Sequence, residues 1–128
     1  MAFRLSDAAA NAALTALSTA IGANARIEYY SGSQPASVAT AATGTKLATA
    51  TGASTFGSVA SRVLTANAIP AATITASGTP GYVRISTSAG TAVVDLAVGA
   101  GEVVVDDPNF VATNSVNTNS ITISLTNG

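Results

Sequence analysis

The chain has 128 residues, 48% of them hydrophobic by type, but 28 of those are alanine and only 9% of the chain is charged. One core fits that length, because single domains run to about 100–150 residues and a second core would go unfilled. A net charge of -1, with Arg4, Arg26, Lys46, Arg62 and Arg84 scattered singly, excludes the clustered cations of a nucleic-acid surface or a polybasic membrane patch. Cysteine and histidine are both absent, which removes disulfides, thiolate chemistry, the commonest general base and the commonest transition-metal ligand. The first 22 residues have an apolar run interrupted by Asp7, Asn11, Thr15 and Ser18, so they read as neither a secretory leader nor a membrane span of about 20 apolar residues.

Residues 1–5, with Phe3, Arg4 and Leu5, read as a short arm that folds back or reaches a neighbour. An amphipathic helix is expected over residues 6–21. Ser6 is a suitable N-cap, Asp7 sits at the positive end of the helix dipole, and Gly22 stands where a left-handed residue ends a helix. Leu14, Leu17 and Ile21 define its apolar face, and Asn11, Thr15 and Ser18 the opposite one.

From residue 25 the period falls from 3.6 to 2. Residues 26–29 alternate charge with bulk, which turns Ile27 and Tyr29 inward. Further short strands are expected at 46–51, 62–67 and 72–76, with a turn at 78–81 where Gly78, Pro80 and Gly81 cluster. The clearest hairpin joins residues 82–86 to 91–98 through Ser88, Ala89 and Gly90, with Val94, Leu96 and Val98 on one face and Asp95 on the other. Strands at 102–105 and 121–126 follow, and residues 110–113 are a further pairing segment. The stretch 36–61 has a linker-like composition, but Leu47, Phe56, Val59, Val63 and Leu64 anchor it to a core. The expected fold is mainly β: an antiparallel β-sandwich, of jelly-roll or Greek-key type, with about eight short strands over 25–128 and one N-terminal helix, all in a single domain.

Chemistry is sparse. Asp106 and Asp107, near Glu102 and Asp95, form the one acidic cluster, but no calcium-loop pattern accompanies them and adjacent strand residues point to opposite faces. They read as a solvated turn before Pro108. Serine and threonine make up 32 residues, yet no G-x-S-x-G elbow, phosphate loop or histidine base activates one of them. No catalytic residue, metal site or cofactor is expected. Tyr29, Tyr30 and Tyr82 read first as packing residues; as exposed rings they would suit a carbohydrate-binding module for attachment. A freely diffusing protein carries about 25% charged residues, so this charge-poor surface reads as one covered in use.

Four pieces in order, the helix, R-I-E-Y-Y-S-G-S-Q-P-A (26–36), T-G-T-K-L-A-T (43–49) and A-S-G-T-P-G-Y-V-R-I (76–85), resemble a group of small virion structural proteins of tailed bacteriophages. Members of that group read approximately L-E-I-Y-T-G-x-Q-P-A, T-G-x-x-L-A-x and A-S-G-T-A-G-W-F-R. Tyr82 stands where an aromatic is usual, and Pro80 where alanine is commoner. The resemblance implies a particle component made in the bacterial cytoplasm and carried on the capsid surface, where a head decoration or cement protein binds the major capsid protein as a dimer or trimer. A tail, neck or baseplate component is the alternative. Phe3, Arg4, Leu5, Tyr30 and Tyr82 are then the expected partner contacts, together with backbone groups of edge strands. No nucleic acid or membrane partner is implied.

Overall fold

The computed structural model describes residues 5–98 and 102–125. Its one helix, α1, spans Asp7–Ile21, and ten strands follow: β1 (Arg26–Ser31), β2 (Lys46–Thr51), β3 (Gly57–Ala60), β4 (Val63–Ala66), β5 (Ala72–Thr73), β6 (Pro80–Ser86), β7 (Ala92–Ala97), β8 (Val103–Val105), β9 (Ser115–Val116) and β10 (Thr118–Ser124). Two four-stranded antiparallel sheets, ordered β2-β1-β6-β7 and β3-β4-β10-β8, enclose the core, and β5 pairs with β9 beside them. The expected β-sandwich with an N-terminal helix is therefore the fold.

The capping signals act as the sequence suggests. Ser6 Oγ accepts the Ala9 N–H at 3.1 Å, and Gly22, at φ 78°, donates its N–H to the Ser18 carbonyl at 3.0 Å. The buried stripe is Ala10, Leu14, Ser18 and Ile21, so Ser18 lies on the inner face rather than on the expected polar one. Its spacing of four from Leu14 puts it there, and its small side chain lets the helix lie close against β3 and β4.

Alternation decides the rest of the core. Ile27 and Tyr29 of β1, Val83 and Ile85 of β6, and Leu96 of β7 meet Leu64, Val103 and Ile121 from the second sheet, with Phe110 and Val116 closing one end. Tyr29 crosses this interior. Its ring meets Phe110 edge-on, with centroids 5.4 Å apart, and its hydroxyl is hydrogen-bonded to the Thr118 hydroxyl on β10. Burial pushes the Tyr29 phenol above its ordinary value, against the opposing pull of the Thr118 bond.

Three local expectations are corrected. The run 62–67 yields a strand only from Val63, because Ser61 (φ 50°) and Arg62 (φ 68°) form a two-residue turn that joins β3 to β4. The strand β3 itself lies in the small-residue stretch and carries only Val59 as a large apolar residue. Residues 78–81 are not a free turn: Gly78 exchanges backbone hydrogen bonds with Phe110, and Pro80 opens β6, a first position where the missing N–H costs no ladder bond. Gly81 has to be glycine because a Cβ there would collide with the Gly32 carbonyl.

Candidate functional site

The outward face of the first sheet is organised as cross-strand rows. Register puts Glu28 opposite Arg84 and Arg84 opposite Asp95, while Lys46 reaches Glu28 diagonally from beside Tyr30. Charges therefore alternate across all four strands. Arg84 grips Asp95 through two bonds, Nε to Oδ1 at 2.8 Å and Nη2 to Oδ2 at 3.0 Å, with side chains only 7% and 5% exposed. That carboxylate holds the Arg84 guanidinium above its usual pKa. Lys46 meets Glu28 at 2.8 Å from an open position, 49% exposed, and the Glu28 hydrogen bond raises its pKa likewise.

Beside this row Tyr30 stacks on Tyr82, with centroids 5.3 Å apart and planes 12° from parallel. Tyr82 was expected to contact a partner, but it is fully buried. The segment between β1 and β2 lies over it: the Tyr82 hydroxyl donates to the Thr43 carbonyl at 2.8 Å and accepts the Thr43 N–H at 2.9 Å. Tyr30 alone keeps a half-buried ring edge, and burial raises its pKa. Tyr29 is also wholly enclosed, so two of the three rings proposed as carbohydrate platforms have no free face.

Of the expected arm, Phe3 and Arg4 lie outside the described residues. Leu5 is half-buried, and its carbonyl accepts Arg62 Nη1 at 2.8 Å. Arg62 also bonds Asp7 Oδ1 at 3.0 Å and the Leu125 carbonyl at 2.7 Å, and its backbone N–H donates to Asn11 Oδ1 at 2.9 Å. One side chain thus ties the start of α1, the β3–β4 turn and the end of β10. The described members of the Phe3, Arg4, Leu5, Tyr30 and Tyr82 set divide between the Arg62 clamp, which holds Leu5, and the outer face of the first sheet, which carries Tyr30 and Tyr82.

Of the four edge strands, β2, β7 and β8 offer short or interrupted ladders. Leu47 in β2 is bonded by Thr75, its carbonyl accepting that N–H at 2.7 Å, and Ala48 bridges Ile74. β7 carries a bulge in which Val93 is the extra residue, and β8 is three residues long. Each is a device that discourages strand addition.

Two features were not legible beforehand. A cleft of about 250 Å³ at the C-terminal end of α1 is lined by Ser18, Thr19, Gly22, Ala23, Ser54, Thr55 and Phe56, with no charged side chain. At the far end of the sandwich, Val98, Val103, Val104, Val105 and Pro108 form an apolar groove of about 140 Å³, and Val104 is 40% exposed. Asp106 stands beside it, its Oδ1 accepting the N–H groups of Asp107 and Asn117 and its Oδ2 the Asn117 side chain. The Asn117 N–H is the main cause that holds the Asp106 carboxyl below its usual range. These acids are a structured turn, as expected, and the described residues contain no group of three that would hold a metal. No helix among them is long and apolar enough to cross a membrane.

No protein-family model matches the chain, and no curated protein or solved structure matches it either.

Proposed function

We propose that this chain is a virion structural protein of a tailed bacteriophage, a head decoration or cement protein that binds and stabilises the shell of major capsid protein. The observation that carries the reading is the disposition of charge. Six of the chain's eleven charged residues are consumed in Arg84–Asp95, Lys46–Glu28 and Arg62–Asp7, which leaves broad areas of alanine, serine and threonine. Burying such a surface against a partner strips few ions of water, and hydroxyls find new hydrogen bonds easily. Each contact is weak, but a symmetric shell repeats it many times. The resemblance of residues 26–36, 43–49 and 76–85 to phage virion proteins supports the same reading.

The attachment-module reading lacks this support, because Tyr29 and Tyr82 are enclosed. Mass spectrometry of purified particles of the encoding phage, quantifying this chain against the major capsid protein, tests the proposal. A ratio of one, or a simple fraction of one, is the expected result. A few copies per particle would transfer the protein to the tail or neck, and its absence from particles would end the virion reading.

A further inference from the structure

Among the described residues, the apolar groove at the β7–β8 end brings an open hydrophobic surface together with unpaired charge. Its volume of about 140 Å³ is close to that of cavities of about 150 Å³ that accept a benzene ring. Glu102 and Asp107 flank it in sequence and are exposed, and no described residue forms a salt bridge with either. Asp106 adds a third carboxylate at the same end. The fitting ligand is therefore one aromatic or branched side chain next to a cation. Residues 3–5 of this chain, Phe-Arg-Leu, have that composition, and they contain one of the chain's five cationic side chains.

Leu5, where the described chain begins, is held away from this groove. Leu5 is held by Arg62 beside Leu125, at the end of β10, whereas Val104 pairs with Ser120 on the side of β10 away from β4. The five residues from Leu125 to Ser120 span about 16 Å at strand rise.

We propose that the groove formed by Val98, Val103, Val104, Val105 and Pro108 receives Phe3 of a second copy of this chain, with Arg4 of that copy set against Glu102 and Asp107. The contact is head-to-tail: each copy offers an arm at one end and a groove at the other, so it closes into a ring or continues as a chain of copies. It is a property of the isolated protein and stands or falls independently of the capsid reading.

Sedimentation or light scattering of the full chain over a concentration series gives the first result, a mass that climbs from 12.4 kDa to a multiple of it. Phe3→Ala and Val104→Lys each return the single-chain mass, and an equimolar mixture of the two forms a two-chain species, since one intact arm meets one intact groove. Val104 is exposed enough for the lysine to leave the fold in place, which circular dichroism verifies; Val104→Ser replaces it if the lysine variant unfolds. Arg4→Glu weakens association roughly threefold at low salt, and Glu102→Lys in the same chain recovers it. A wild-type chain that stays at 12.4 kDa throughout overturns the proposal. So does assembly that survives both single substitutions, or a mixture in which no two-chain species appears.

Discussion

The outer face of the first sheet and the β7–β8 end of the sandwich treat charge in opposite ways. On the first, Lys46, Glu28, Arg84 and Asp95 compensate one another across four strands, and Tyr30 and Tyr82 close the row. At the second, Glu102 and Asp107 stand open beside an apolar groove, and Asp106 bonds only to backbone and amide groups. The contrast separates cohesion from contact. Where charges are mutually satisfied, a substitution costs fold stability; where they are left open, it costs association.

The largest effect expected from that contrast comes from Asp95→Ala, which takes both carboxylate hydrogen bonds from Arg84 in a site 7% exposed. A loss of about 3–5 kcal/mol in denaturant unfolding is predicted, whereas Glu102→Ala stays within about 0.5 kcal/mol. Equal losses at the two sites would erase the distinction. Arg62→Ala should cost about 2 kcal/mol, because it releases the carbonyls of Leu5 and Leu125 together. Hydrogen exchange should then quicken at the start of α1 and in β4 and β10 at once, and protection lost in only one of them would refute the clamp.

Tyr29→Phe is next, at about 1 kcal/mol, for the lost hydroxyl pair with Thr118. It also tests a pH dependence. Burial raises the Tyr29 pKa, so its contribution is complete below the ordinary phenol value and disappears as pH climbs through the raised one. The phenylalanine variant should lack that alkaline step, and an unchanged alkaline profile would assign the step elsewhere. Lys46→Met, at a bridge whose lysine is half exposed, should change stability by less than about 0.5 kcal/mol. The smallest effect belongs to Asp106. Its depressed pKa means that its support is present above the ordinary carboxylate value and is lost as pH falls through the lower one. The Asn117 amide resonance should shift in that acid window, and should not in Asp106→Asn.

Periodicity made much of this fold legible. Ser6, Asp7 and Gly22 bracket the helix, the alternation of 26–29 aims Ile27 and Tyr29 inward, and the hairpin of β6 with β7 follows from its turn residues. What stayed hidden depends on partners distant in sequence. Tyr82 alternates like a surface residue and is buried only because Thr43, 39 positions away, lies over it. Ser18 looked polar in composition, yet its place in the turn put it inside. The strand β3 has the composition of a loop and becomes a strand through its pairing with β4. For the Arg84–Asp95 pair a signal did exist, since each is the lone charge at the centre of one arm of a legible hairpin. The groove had none, because Val98 and Pro108 come together only after β7 and β8 are placed on different sheets.

The treatment of the sheet edges bears on strand addition between copies. Mean hydropathy is +0.44 and net charge -1, so mutual repulsion does little to keep copies apart. Instead, two of the sheet edges are guarded by the Leu47–Thr75 bond and by the bulge at Val93. Protection of those edges against a further strand is thus written into backbone geometry rather than ionic charge, and salt does not screen it away.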